Sequence, residues 1–174
     1  MHQAPLTILC RGIAIVALAL LAACAQTRPP ATPPMADRVV VQKSARTLDL
    51  LRDGKVFATY PVALGRQPFG PKQQEGDGKT PEGIYRIDYK SMQSRFTRAL
   101  HVSYPDDTDR ARAAAMGVDP GGAIFVHGLP PDYGPTDPPR WYRDWTEGCV
   151  AVGNAAIVKI WDAVPDGTPI EIRP

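Results

Sequence analysis

Asp144-Trp145-Thr146-Glu147-Gly148-Cys149-Val150 sets a cysteine directly behind a glycine, on a turn that runs into an apolar pair. Cysteine arithmetic singles this thiol out. The chain has three cysteines. Cys10 lies in an N-terminal segment that reads as a cleaved signal. Cys24 closes Leu21-Ala22-Ala23-Cys24, a lipobox-like stretch that predicts lipidation of its sulfur. Cys149 is left as the free thiol of a chain bound for an oxidising compartment, where an idle cysteine is a liability. Either it does chemistry or it is a buried structural residue.

Upstream, Ala123 to Val126 is a compact apolar strand that delivers His127 at its end, 22 positions before Cys149. A thiol with a pKa of about 8.5 is mostly protonated at neutral pH. A histidine within reach takes its proton and later returns it to a leaving amine. Once the signal is removed two histidines remain, His101 and His127. Gly148 permits a tight turn whose amides face an oxyanion. His101, within Leu100-His101-Val102, either faces the same site or is a satisfied structural histidine. A metal site from His101, His127 and Cys149 lacks any short-range ligand pair, and no metal or other cofactor is expected.

The N-terminus bounds the rest. Ile13 to Ala23 is an apolar run of eleven residues preceded by Arg11, about half the length a membrane-spanning helix needs. Residues 1–23 therefore read as a lipoprotein signal, the alternative being ordinary cleavage after an alanine with Cys24 a bystander. Residues 24–37 read as the lipidated Cys24 and an extended tether with prolines in two pairs, or a tail without a spacing role. Residues 38–174 form one domain. Removing 23 of 174 residues takes away one arginine and no acid, leaving 19 basic against 18 acidic side chains. That balance lacks the basic stripe of a nucleic-acid binder.

Strand signals dominate this domain. Val39-Val40-Val41 is β-branched, and Thr47 to Leu64 reads as a hairpin turning at Asp53-Gly54, with Leu48, Leu50, Val56, Ala58 and Tyr60 on alternating faces. The Gly-rich stretch 65–83 lacks the spacing of a phosphate cradle. Ile84 to Tyr89, Ala99 to Tyr104 and Thr168 to Ile172 are further strands. Asp106 to Met116 is a short helix stopped by Gly117. A second helix carries Ile157, Ile160, Trp161 and Val164 on one face, with Asn154 its expected cap. The fold class is mainly β, a sandwich or barrel with two short peripheral helices.

Val126-His127-Gly128, the following loop and Thr146-Glu147-Gly148-Cys149-Val150, together with Thr80-Pro81-Glu82-Gly83, resemble the YkuD-type L,D-transpeptidase catalytic domain over roughly Arg38 to Ile172. The Asp-Trp-Thr-x-Gly-Cys form is similar to a branch found in Gram-negative bacteria. The resemblance implies a cysteine acylated by a peptidoglycan stem peptide and released by an acceptor amine. It implies Cys149 as nucleophile, His127 as general base and acid, Gly128 orienting His127 through its carbonyl, and the Gly148 and Cys149 amides as oxyanion donors. Thr146 would shape the turn.

Two positions depart from the family pattern. Glu147 stands where most members have histidine, and a carboxylate there raises the thiol pKa unless it points away or pairs with an arginine. Ala151 stands where a polar residue is usual, two positions past the cysteine. Leu129 to Trp145, with five prolines and four aromatics, reads as a substrate-covering lid. Within it Arg140, Arg143 and Trp145 are candidate substrate contacts, or solvated and packing residues. Three functions are consistent with these residues: a transpeptidase, a hydrolase using the same acylation, and an inactive envelope-binding lipoprotein. The first is expected, as a monomer lipid-anchored in the periplasm, at the outer membrane of a Gram-negative cell.

Overall fold

A computed structural model of the chain describes residues 34–130 and 143–174. Within them Arg38–Gln42 forms β1, and Thr47–Arg52 (β2) pairs antiparallel with both β1 and Lys55–Pro61 (β3). Asp53 and Gly54 turn the hairpin with φ of 52° and 72°, the paired positive values of a type I′ turn. Leu48 and Leu50 are fully buried, but Val56 is 53% exposed, against the expected alternation. The register shifts between Leu50 and Leu51, so Leu50 faces Ala58 while Leu51 faces Val56. That bulge carries Val56 to the outer face.

Gly83–Ser91 (β4) is the corner of the sheet. Its first half pairs with Pro169–Arg173 (β8), and from Ile87 onward it pairs with Ala99–Val102 (β5), across an irregularity between Ile87 and Lys90. Phe125–His127 (β6) and Val150–Ala151 (β7) continue from β5. Among the described residues the order is β3-β2-β1-β8-β4-β5-β6-β7, with β1/β8 and β6/β7 parallel. The chain just after β3 returns to the far edge, where Ala63 exchanges hydrogen bonds of 2.9 and 2.8 Å with Ala151. The sheet therefore curls round on itself. The mainly β expectation holds.

Val39, Val41, Leu48, Leu50, Ile87, Leu100, Val126, Val150 and Ile170 point into one core, the period-2 face of their strands. Each contributes roughly 1.5–3 kcal/mol on full burial. Asp107–Met116 (α1) starts at an Asp106 cap that accepts from the Asp109 amide and ends at Gly117 in the left-handed region. Asn154–Ala163 (α2) buries Ile157 and Ile160 in the core, with Val164 after it. Its cap is Gly153, with no side-chain hydrogen bond. Asn154 does not cap, because its side chain is taken up elsewhere, as described below.

The Gly-rich stretch 65–83 is stapled by two buried lysines. Lys43 Nζ donates to the carbonyls of Gly70 (2.7 Å) and Thr80 (3.1 Å) and pairs with Glu82 at 2.7 Å. Lys72 pairs with Asp77 at 2.9 Å. Burial lowers the Lys43 pKa, with Glu82 acting against it. These cations are consumed within the fold.

Candidate active site

The parallel pairing of β6 and β7 positions the two residues of interest. Val126 faces Val150 and His127 faces Ala151, which sets Cys149 opposite Phe125. Side chains alternate, so His127, Phe125 and Cys149 share the face turned away from Val126 and Val150. His127 and Cys149 line one cavity of about 360 Å³, with Trp145, Glu147, Phe96 and Arg95. A second cavity of about 350 Å³ flanks Cys149 on the side of Phe125, Ser91 and Gln93, and Arg95 and Phe96 border it too. A larger groove of about 490 Å³ lies among Asp37, Arg38, Asp49 and Arg173 and contains neither residue.

His127 Nδ1 lies 2.6 Å from the Gly128 carbonyl oxygen. A carbonyl only accepts, so Nδ1 carries the proton and Nε2 keeps its lone pair. Phe96 stacks on the imidazole at 3.8 Å and Trp145 meets its edge at 5.8 Å, leaving the residue 1% exposed. Burial lowers its pKa to about 4. The Gly128 carbonyl acts in the opposite sense, and Arg95 adds to the lowering. The ring is neutral at pH 7. Gly128 tolerates no side chain, because a Cβ would sit 2.7 Å from Asn154 Oδ1 and 2.9 Å from Ile157. That same Asn154 oxygen accepts from the Leu129 amide and the Thr97 hydroxyl, each at 2.8 Å. Asn154 thus clamps the chain leaving His127.

The turn before Cys149 is held from both ends. Gly148 has φ 131°, and a Cβ there would lie 2.6 Å from the Lys79 carbonyl. This conformation aims its amide at Thr146 Oγ1 (3.1 Å), whose hydroxyl donates to the Cys149 carbonyl at 2.7 Å. The Gly148 amide, expected to face an oxyanion, is therefore engaged inside the turn. Upstream, Asp144 accepts two-pronged bonds from Arg46 (Nε 3.1 Å, Nη2 2.7 Å) and one from the Leu64 amide at 2.8 Å. Charge-assisted, two-pronged bonds of this kind are among the strong ones. Asp144→Ala is expected to cost about 2–3 kcal/mol of stability, with Asp144→Asn losing less; urea denaturation of both variants checks it.

Ala123, itself in the left-handed region at φ 52°, turns its carbonyl to accept from Cys149 Sγ at 3.6 Å. Burial raises the Cys149 pKa, opposed by the Phe125 backbone, Arg95 and Lys72. Glu147 is exposed and pairs with Arg66. The resting pair is thus a thiol beside a neutral imidazole.

Residues 36–172 match the YkuD family, the L,D-transpeptidase catalytic domain. The chain belongs to this family. It is 31% identical over 96 residues to the Escherichia coli K12 protein named "Putative L,D-transpeptidase YafK", covering 52% of this chain and 37% of that one. Among solved structures, the helical cell shape determining protein Pgp2 of Campylobacter jejuni is 26% identical with a TM-score of 0.60, over 78% of this chain and 46% of that one. Bd1075 of Bdellovibrio bacteriovorus is 25% identical with a TM-score of 0.54, over 79% and 48%. The chain spans less than half the length of these relatives.

Within this YkuD domain, Cys149, His127, Thr146 and Trp145 line one cavity, with Gly128 against the His127 ring and Gly148 in the turn before Cys149. Arg143 is exposed and makes no ion pair among the described residues. Arg140 and most of the lid, with Tyr133, Trp141 and Tyr142, lie outside the described residues, as do Cys24, the signal segment and most of the tether. His101 is engaged elsewhere, its Nδ1 2.6 Å from Asp88 and its ring stacked on Tyr89. Among the described residues no three His, Cys, Asp or Glu side chains are grouped to hold a metal ion. Sequence reading missed the segment 92–98, which lays Phe96 on His127, and it missed the clamps Arg46 and Asn154. A usable signal was present: Ser94-Arg95-Phe96 breaks the alternation between two strands, at the end of the sheet where His127 emerges.

Proposed function

We propose that the chain is a peptidoglycan-modifying cysteine acyltransferase, an L,D-transpeptidase that joins a murein stem peptide to an amine acceptor through a thioester on Cys149. The observation that carries this reading is the shared cavity of Cys149 and His127, with His127 Nδ1 tied to Gly128 and Nε2 left to accept. Nε2 takes the Sγ proton as sulfur bonds to the peptide carbonyl carbon. The oxyanion is met by the Cys149 amide, Gly148's being engaged with Thr146. Collapse breaks the C–N bond, and the imidazolium returns its proton to the departing amine. An acceptor amine then attacks the thioester, His127 takes its proton, and sulfur leaves as the thiol.

Gly128 acts through its carbonyl, and Thr146 holds the turn. Trp145 walls the cavity and is assigned a substrate contact, as are Arg140 and Arg143 by their place in the chain. Anchoring through Cys24, a place in the periplasm and a monomeric state are parts of the same proposal, resting on the sequence. The likeness to Pgp2 supports a role in cell shape.

Muropeptide analysis of sacculi incubated with the purified protein tests the reaction. New cross-linked dimers are expected. Loss of existing linkages would identify a hydrolase, with water as the acceptor. No change of either kind would contradict an enzyme acting on murein.

A further inference from the structure

Among the described residues, the charged side chains that line the two cavities beside Cys149 are Arg95 and Glu147, and Glu147 is matched by Arg66. Arg46 is matched by Asp144, Arg66 by Glu147, Lys72 by Asp77 and Arg98 by Asp162. Arg95 makes no ion pair among the described residues, yet it borders both cavities that flank Cys149. Its guanidinium lies 5.1 Å from the Phe96 ring, whose stacking on His127 ties the arginine's place to that of the imidazole. β7 adds no charge of its own, since Val150 and Ala151 are fully buried.

We propose that Arg95 is the carboxylate-recognising residue of this site: from the junction of the two cavities its guanidinium binds a carboxylate of the peptide whose carbonyl Cys149 attacks. This rests on the acyl-transfer reading above, because it needs a peptide held over that thiol. A guanidinium bordering two cavities, with its own ring support and no ion-pair partner among the described residues, is suited to two-pronged binding of a carboxylate. Its charge reaches both reacting groups, lowering the pKa of His127 and of Cys149. A carboxylate bound there would offset that charge, so peptide binding is expected to raise the basicity of Nε2 as the attack begins.

Calorimetry in a Cys149→Ala background tests the assignment without turnover. The ligands are a stem tetrapeptide ending in diaminopimelate–D-alanine and its forms amidated singly at each carboxylate. One amide is expected to bind about tenfold more weakly than the parent, and its identity shows which carboxylate is read. Adding Arg95→Gln should weaken the parent by the same factor and leave that amide unchanged, with Arg95→Lys recovering part of the loss. Equal weakening of the parent and every amide, no effect of Arg95→Gln, or no binding at all would overturn the proposal. Turnover by the wild-type chain separates the two readings. Binding through Arg95 without turnover removes the enzyme and keeps the recognition site; turnover indifferent to Arg95 removes the recognition site and keeps the enzyme.

Discussion

Cys149→Ala is expected to lose turnover on murein peptides by a factor of about 10⁴ or more, with the fold intact. The size of the effect follows from the role: when a nucleophile is removed, only binding and oxyanion stabilisation remain. The second half follows from the packing. Sγ makes one long hydrogen bond, 3.6 Å to the Ala123 carbonyl, and the residue is half-buried. The turn around it is held by Asp144, Thr146 and Gly148, none of which depends on sulfur. The melting temperature should therefore move little. Residual turnover within tenfold of wild type would place the nucleophile elsewhere.

His127→Gln is expected to lower kcat by about 10²–10⁴-fold, and the pH dependence should identify the imidazole as the cause. With a pKa of about 4, the ring stays a base well below the usual histidine range near 6.5. The acid limb of kcat/KM should therefore fall near pH 4. Stability carries the same signature. The unfolded chain binds the proton more readily, so this contribution is fully present above about pH 6.5 and is lost as pH falls toward 4, by about 3 kcal/mol. Urea denaturation at pH 7 and pH 4.5 should show the loss in wild type and a smaller one in His127→Gln. Equal acid loss in both proteins would mean that His127 is not buried as a neutral ring.

What could be read along the chain was what local chemistry enforces. Asp53-Gly54 and Gly117 adopt the left-handed conformations their residue types favour. Ile157 and Ile160 line the inner face of α2, because spacing alone puts them there. His127 at a strand end and Cys149 behind a glycine were visible for the same reason. Pairings across the sheet were not. Nothing around Glu147 announces Arg66, which lies 81 positions away and settles where that carboxylate points. Arg46 reaches Asp144 across 98 positions. Asn154 has the residue type and position of a cap, but the Leu129 amide and the Thr97 hydroxyl compete for its oxygen and win. Val56 follows the strand period until a bulge shifts it. Period and propensity report which face a residue occupies; which partner meets it is decided by the closed sheet.

The two departures from the family pattern now have separate meanings. Glu147 is balanced by Arg66, so its carboxylate adds little to the proton affinity of a thiol that burial already raises. Ala151 is buried and bonded to Ala63, which turns that position to closing the sheet.

The central claim is that Cys149 becomes acylated with His127 as its base. Intact-mass spectrometry after exposure to a carbapenem measures this directly. A single covalent adduct is expected, mapping to the peptide that contains Cys149, absent from Cys149→Ala and formed far more slowly by His127→Gln. No adduct on the wild-type protein, under conditions that label an active member of the family, would contradict it.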